Sequence, residues 1–222
     1  AVFSWYNETL YQKKAELLTA FRTVYPDIIG AYEKIRFSTK DLPESQFLYG
    51  EQAPEPLLVT ENGVQFATYL NEGLMTGIFL DQKEVRGRLV DGFAVGKTVL
   101  NMFSYTGAFS VAAAMGGAVA TTSVDLAKRS LPKTTEQFEV NHLNLAPQKI
   151  IVMDVFDYFK YASRKGLSYD MIILDPPSFA RNKKKVFSVA KNYGELVKDS
   201  IDILTDKGTL IASTNAANLS LA

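Results

Sequence analysis

The sequence predicts an α/β fold, in which a parallel sheet flanked by helices follows a small α+β domain over residues 1–75. From Thr98 onward, short apolar segments alternate with amphipathic segments of helical period, which is typical of βαβ units with parallel strands. Before residue 76, a helical segment precedes two alternating segments joined by Asn62-Gly63, which is typical of a two-residue hairpin turn. Residues 76–222 would therefore form the larger, sheet-based domain.

The individual elements follow from local pattern. Apolar residues recur at helical spacing through NETLYQKKAELLTAFRTVY, and Pro26 ends that helix. A second helix is predicted from about Asp81 to Val90. The strands after it are TVLNMF, AVATTSVDL, KIIVMD, YDMIILDPP and KGTLIASTN. The helices between them are GAFSVAAAMG, AKRSLPKTTEQFEVNHL, VFDYFKYASRKG and AKNYGELVKDSIDILT, of which the second carries Pro132 near its first turns.

Composition excludes several classes of function. The 24 basic and 24 acidic residues balance, so any contact with nucleic acid must come from a local patch. Cysteine is absent, which excludes disulfides, thiolate metal sites and a thiol nucleophile within this chain and fits a reducing compartment. With His142 as the single histidine, no metal site is predicted.

The uncharged stretch Thr98–Val124 contains polar residues and glycines that favour strand, turn and helix over a membrane span. No signal peptide is visible, so we expect a cytoplasmic protein with no membrane contact.

Ligands of an open parallel sheet bind beyond the carboxyl ends of its strands, and the predicted strands end in acids there. The first strand leads into a turn at Gly107, but a single glycine matches the nicotinamide or flavin cradle poorly. Asp125 ends the second strand and could bind ribose hydroxyls, or cap the next helix. Asp154 ends the third and could meet an adenine amino group, or again act as a cap. Asp175 ends the fourth and is followed by two prolines that stiffen the turn. Three acids at successive strand ends predict one binding crevice.

The segments VLNMFSYTGAFS, TTSVD, MDVF and ILDPPSF, in this order and spacing, resemble those of the class I S-adenosylmethionine-dependent methyltransferases. More narrowly, the chain is similar to bacterial methyltransferases of 23S ribosomal RNA that carry FLD before the first strand and DPPSF after the fourth. TGIFLDQKEVR matches the upstream element, and the resemblance covers roughly Val59 to Asn215. It implies a Rossmann-like class I methyltransferase sheet, S-adenosylmethionine (SAM) as cofactor, S-adenosylhomocysteine (SAH) as product and 23S ribosomal RNA as partner.

The resemblance also implies residue roles. Phe103, Ser104, Tyr105, Thr106 and Gly107 would line the methionine part of the cofactor, Asp125 the ribose, and Asp154 and Val155 the adenine. Asp175 would lie beside the sulfonium, with Pro176 and Phe179 shaping the slot for the target base. Asp81, Gln82 and Arg86 would close the site from the other side. For Phe179, simple core packing is the alternative.

The basic residues after DPPSF would meet RNA phosphates at the rim of the site. They are Arg181, Lys183, Lys184, Lys185 and Lys191. A solvated loop without such a function is the alternative. The residues before 76 would lie on the substrate side.

Two departures from the family pattern matter. Members that methylate cytosine at carbon 5 need a cysteine thiolate, and this chain has Thr214 at the matching position, within ASTN. A nitrogen target such as guanine N7, which needs only positioning, is therefore favoured. The chain also ends after the fifth strand and lacks an initiator methionine. Because class I methyltransferases normally have two further strands, we expect a piece of a longer protein.

Other functions remain open at the level of sequence. The substrate could be a protein or a small molecule. The fold could also be a catalytically silent RNA-binding or ribosome assembly factor, although intact DPPSF argues against this. A nicotinamide oxidoreductase would need phosphate-cradling glycines that the sequence lacks.

Overall fold

The computed structural model describes residues 1–181 and 186–216. The chain divides into two compact units. The first comprises Ala1–Val59 and Phe66–Ile78, and the second comprises Thr60–Gln65 and Phe79–Ala222. No helix within the described ranges is both long and apolar enough to cross a membrane.

The first unit is built on a three-stranded sheet of order β1-β2-β3. Its elements are β1 (Val2–Trp5), α1 (Glu8–Gln12), α2 (Lys14–Val24), β2 (Gly30–Ile35) and β3 (Ser45–Gly50). The single N-terminal helix predicted from sequence is two helices, because the Lys13 amide turns back to the Leu10 carbonyl at 3.1 Å and tightens the chain between them. Pro26 follows the end of α2 as expected.

A hairpin joins the two units in sequence. It consists of β4 (Leu57–Glu61) and β5 (Val64–Thr68), and its tip, Thr60–Gln65, belongs to the second unit. Asn62 and Gly63 have φ of 52° and 77°, so both central residues adopt the left-handed conformation that a type I′ turn requires. The hairpin predicted from Asn62-Gly63 is therefore confirmed.

The second unit contains a five-stranded parallel sheet of order β12-β9-β6-β7-β8, which confirms the α/β Rossmann-like prediction. The strands are β6 (Thr98–Met102), β7 (Ala120–Asp125), β8 (Gln148–Val152), β9 (Tyr169–Leu174) and β12 (Leu204–Ala212). The helices are α3 (Lys83–Arg88), α4 (Ala108–Met115), α5 (Ser130–Glu139), α6 (Val155–Arg164) and α7 (Val189–Asp202). Strand order reverses between β6 and β9, so the loops after these strands flank the topological switch point.

Both faces of the central strands β6 and β9 are buried, which explains why these two strands are mostly apolar. Successive side chains of a strand point to opposite faces. Accordingly, Leu100 and Ile172 join the cluster that packs against α6 and α7, whereas Val99 and Met171 join the cluster of α3 and α4. The central strands β6 and β9 are thereby rigid supports for the loops that follow them.

Three local features differ from or refine the predictions. The helix predicted from Asp81 begins as a 3-10 turn at Leu80–Gln82, continues as α3, and ends in a π turn at Leu89–Phe93. Pro132 is the third residue of α5, in the first turn, where a missing amide breaks no helical hydrogen bond. A short antiparallel pair, β10 (Phe179–Arg181) with β11 (Val186–Ser188), was not predicted.

Candidate active site

The loop after β6 has a strained and firmly held backbone. Phe103 and Tyr105 have positive φ of 58° and 51°, a conformation that is costly for residues with a side chain. The Ser104 amide donates to the Val124 carbonyl at 3.0 Å, and the Gly107 amide donates to the Ser104 carbonyl at 2.7 Å. The loop is therefore fixed at the carboxyl edge of the sheet, beside the switch point.

Gly107 is required at the end of this loop for two physical reasons. Its φ is +79°, and a Cβ built on it would lie 2.4 Å from Cγ2 of Thr134 on α5. A side chain at position 107 would strain the backbone and push α4 away from α5. The glycine thus lets the amino terminus of α4 approach its neighbour closely.

Two buried hydroxyls at this loop have no partner among the described residues. They are Ser104 Oγ and Thr134 Oγ1, whose residues are 6% and 0% exposed. Buried hydroxyls are normally hydrogen-bonded, since leaving one unsatisfied costs about 1–3 kcal/mol. An arrangement of this kind suits a site that completes its hydrogen bonds with a ligand.

Asp125, at the end of β7, holds the loop rather than capping a helix. Its Oδ2 accepts from the Tyr105 amide at 2.8 Å, and its Oδ1 accepts from the Ala127 amide at 2.8 Å. Since α5 begins only at Ser130, the alternative of a helix cap does not apply. Each carboxylate oxygen has a second lone pair, so Asp125 retains the capacity to accept from a ligand.

Asp154, at the end of β8, caps α6. Its Oδ1 accepts from the amides of Phe156 and Asp157 at 3.1 and 3.4 Å. Val155 is 5% exposed and packs in the core. The helix-cap interpretation raised at the level of sequence therefore describes what Oδ1 of Asp154 does, and Val155 offers little side-chain surface to a ligand.

Asp175, after β9, is the point at which three segments converge. Its Oδ1 accepts from Ser213 Oγ, beyond β12, at 2.6 Å, and from Gln82 Nε2, in the 3-10 turn, at 3.3 Å. Burial raises the pKa of the Asp175 carboxyl, and the nearby Asp81 raises it further. The Ser213 hydrogen bond and the charge of Arg86 oppose these effects on the pKa.

Arg86 is buried and bonded to the hairpin tip. Its Nε and Nη2 donate to the two carboxylate oxygens of Glu61 at 2.7 and 2.9 Å, and Nη2 also donates to the Phe79 carbonyl at 2.7 Å. The residue is 2% exposed. Of the three residues expected to close the site, Gln82 therefore contacts Asp175, whereas Arg86 contacts Glu61 and supports the turn that carries Gln82.

The residues expected to shape the slot for the target base differ sharply in burial. Pro176 is buried, but Phe179 is 60% exposed at the start of β10, so the core-packing alternative for Phe179 is excluded. Phe187, which sequence reasoning missed, is 8% exposed, and its ring lies 5.5 Å from that of Phe103 and 6.2 Å from that of Phe156. Three-residue strands carry no readable periodicity, so β11 and its aromatic residue gave no signal.

Of the residues expected to contact RNA, Lys191 is exposed on α7. Arg181 ends β10, and Lys183, Lys184 and Lys185 lie outside the described residues. Sequence reasoning also missed Tyr193, whose hydroxyl donates to the Ser213 carbonyl at 3.0 Å. Both burial and the charge of Asp175 raise the pKa of Tyr193.

A family model and several curated proteins are similar to this chain. Residues 31–221 match the family model described as S-adenosylmethionine-dependent methyltransferase. YwbD of Bacillus subtilis (strain 168), assigned as a ribosomal RNA large subunit methyltransferase, is 53% identical over 218 residues, covering 97% of this chain and 55% of YwbD. A ribosomal RNA large subunit methyltransferase of Deinococcus radiodurans is 36% identical over 179 residues, covering 81% of this chain and 44% of that protein.

A solved structure is similar over nearly the whole chain. The crystal structure of SMU.776, assigned as a methyltransferase and complexed with SAH, superposes with a TM-score of 0.93 at 60% identity. The superposition covers 99% of this chain and 56% of that one. The chain spans about half the length of the curated relatives it matches.

Proposed function

Because the chain belongs to the S-adenosylmethionine-dependent methyltransferase family, we propose that it methylates a base of large-subunit ribosomal RNA, in 23S RNA. SAM is the methyl donor and SAH the product. The observation that carries the proposal is the convergence of Gln82 and Ser213 on Asp175, next to the strained loop after β6. The names of the two curated relatives support ribosomal RNA as the substrate class. A ribosomal substrate implies action in the cytoplasm.

The residues after β6 and β7 fit the cofactor. Unpartnered Ser104 Oγ and Thr134 Oγ1 would gain hydrogen bonds from a polar ligand, and the second lone pairs of Asp125 suit ribose hydroxyls. We assign the methionine part to Phe103, Ser104, Tyr105, Thr106 and Gly107, the ribose to Asp125, and the adenine to Asp154 and Val155. Asp81 and Gln82 line the opposite side, and Arg86 acts through the turn that it holds.

Asp175 has the chemistry that a methyl-transfer site needs. SAM carries its methyl group on a sulfonium cation. A nearby carboxylate therefore favours the binding of SAM over the binding of neutral SAH. Since transfer is an in-line displacement, much of the rate comes from alignment and exclusion of water. Half-buried Asp175 and buried Pro176 supply a rigid, partly dry surface. Exposed Phe179 is available to stack on a base that has left its helix.

Recognition of RNA would use the basic residues that follow this site. We propose that Arg181, Lys183, Lys184, Lys185 and Lys191 bind phosphates, which position the RNA without reading its sequence. Reversing the charge of Lys183, Lys184 and Lys185 should weaken RNA binding and leave the affinity for SAM unchanged. Equal loss of both affinities would contradict this assignment.

A nitrogen target such as guanine N7 fits this chain better than cytosine carbon 5. The carbon-5 reaction needs a thiolate, and the 222 residues contain no cysteine. At the position of the family's cysteine, the Thr214 hydroxyl accepts from the Ala216 amide at 3.2 Å. An unactivated hydroxyl does not replace a thiolate as the attacking group, whereas guanine N7 needs only to be positioned.

The test is mass spectrometry of ribosomal RNA nucleosides from cells with and without the full-length gene. We expect one methylated nucleoside to disappear and to return when the wild-type gene is restored. An Asp175→Ala variant should fail to restore it, whereas Asp206→Ala, at an exposed acid of β12, should restore it. Loss of 7-methylguanosine would support the nitrogen target, and loss of 5-methylcytidine would contradict it. An unchanged nucleoside profile would reject ribosomal RNA as the substrate.

A further inference from the structure

Ser213 occupies a special position relative to Asp175, although it lies 38 residues further along the chain. Its amide donates to the Leu174 carbonyl at 2.9 Å, which extends the pairing of β12 with β9 by one residue. Its hydroxyl lies 2.6 Å from Asp175 Oδ1 and 3.2 Å from the Leu174 carbonyl. A hydroxyl has one proton, and the shorter distance favours donation to the carboxylate.

Ser213 is itself held in place. The Tyr193 hydroxyl, from α7, donates to the Ser213 carbonyl at 3.0 Å, so the backbone of residue 213 is fixed on two sides. Beside it, Ser178 Oγ donates to Asn215 Oδ1 at 2.7 Å and ties the segment after β12 to the loop after Asp175. The donor to the carboxylate thus belongs to a rigid part of the site.

The two side chains that donate to Asp175 do so at the same oxygen. Ser213 Oγ, beyond β12, and Gln82 Nε2, in the 3-10 turn, both donate to Oδ1. Two donors at one oxygen fix the rotation of a carboxylate group. Oδ2 is then the oxygen that the Asp175 carboxylate can present to a ligand.

We propose that Ser213 is a positioning residue, which holds the Asp175 carboxylate by Oδ1 so that Oδ2 faces the sulfonium of bound SAM. The inference rests on the proposed function, because it takes Asp175 to lie beside the sulfonium. The Ser213 hydrogen bond also favours the charged carboxylate, against burial and Asp81, which raise its pKa. Among the described residues, the other charged or titratable groups that interact with this carboxyl are Arg86 and Tyr193.

The test compares the binding of SAM and SAH to the full-length protein by calorimetry over a range of pH. SAM is cationic at sulfur and SAH is neutral, so the ratio of their dissociation constants reports the charge presented by Asp175. Thr and Val have nearly the same shape, so Ser213→Thr and Ser213→Val form a matched pair with and without a hydroxyl. Ser163→Ala, at an exposed residue of α6, controls for the loss of an unrelated hydroxyl.

We expect Ser213→Val to reduce the preference for SAM over SAH roughly tenfold, since hydrogen bonds to charged groups are strong. The pH at which half of the preference is lost should also rise. Ser213→Thr and Ser163→Ala should keep both values near those of the wild type. If Ser213→Val proves too unstable to assay, Ser213→Ala takes its place with the same expected loss.

An Asp175→Asn variant separates the two ways of failing. If Asp175→Asn lowers the preference and Ser213→Val matches Ser213→Thr, Ser213 does not position the carboxylate and the inference is overturned. If Asp175→Asn itself leaves the preference unchanged, Asp175 does not face the sulfonium. The assignment of Asp175 in the proposed function and the inference that rests on it are then both rejected.

Discussion

Removing one partner of the buried ion pair between Glu61 and Arg86 should strongly destabilise the second unit. The two side chains are 5% and 3% exposed and share two hydrogen bonds of 2.7 and 2.9 Å. Glu61→Ala removes both of these hydrogen bonds and the carboxylate that balances the charge of Arg86. Leaving a buried charge without its partner costs about 3–5 kcal/mol. This is a large fraction of the roughly 5–15 kcal/mol that a typical domain has.

The assay is native-state hydrogen exchange of the full-length protein, with amides of β6 and β9 reporting the opening free energy of the sheet. Glu61→Gln keeps an acceptor and should cost less than Glu61→Ala. Replacing the pair together, as Glu61→Leu with Arg86→Met, should recover most of the loss, because an apolar pair needs no charge compensation.

A less buried pair provides the matched control. Lys14 donates to Glu33 at 2.7 Å, but the Lys14 side chain is 24% exposed, and Glu33 also accepts from Trp5. Glu33 is fully buried, but Trp5 and Gln46 still donate to it, so Lys14→Met should cost less than Glu61→Ala. The reasoning is refuted if Glu61→Ala costs no more than Lys14→Met, since burial would then not decide the strength of the pair.

Three further predictions concern the loop glycine and two acids. Gly107→Ala should lower the free energy of unfolding by about 2–4 kcal/mol and weaken SAM binding, because it combines a positive φ with a Cβ 2.4 Å from Thr134. Adding Thr134→Ser removes the methyl group in the way and should recover part of the stability. No recovery would contradict the steric argument. Burial raises the pKa of Asp175, so the folded state loses stability as pH rises above 3.8, the ordinary pKa of the group. Asp175→Asn should therefore raise the melting temperature at pH 7 but leave it unchanged below pH 3.8. Hydrogen bonds from Thr98 lower the pKa of Asp170, so the ionised carboxylate stabilises the fold above pH 3.8, and this stability is lost as pH falls. Asp170→Asn should therefore lower the melting temperature at pH 7. A rise in the melting temperature, as expected for Asp175→Asn, would refute the assignment.

Local pattern was sufficient for the hairpin and the five strands of the parallel sheet, but it did not predict β1 to β3, β10 or β11. Asn62 and Gly63 predicted the hairpin because a type I′ turn needs two residues that tolerate positive φ. The alternation of strands and helices after Thr98 predicted a parallel sheet, because βαβ units join parallel strands through a helix. Since parallel strands end at one edge, Asp125, Asp154 and Asp175 were predicted to face one crevice.

The functions of individual side chains in the site depended on tertiary structure. Asp154 was expected either to meet a ligand or to cap a helix, and only the distances to the α6 amides identified the cap. Arg86 was expected at the site, but its guanidinium forms an ion pair with Glu61, 25 residues earlier. A one-dimensional pattern cannot distinguish these cases, because each residue type suits both.

What the sequence determined by itself is the alternating strands and helices of the second unit and the acids at the strand ends, since both depend on neighbours within a few residues. What only the tertiary structure decided is which distant groups meet: Ser213 with Asp175, Thr134 with Gly107, and Phe187 with Phe103. The physical reason is that these contacts depend on strand order and helix packing. Such contacts are set by the burial of the whole core, to which no single segment of the sequence corresponds.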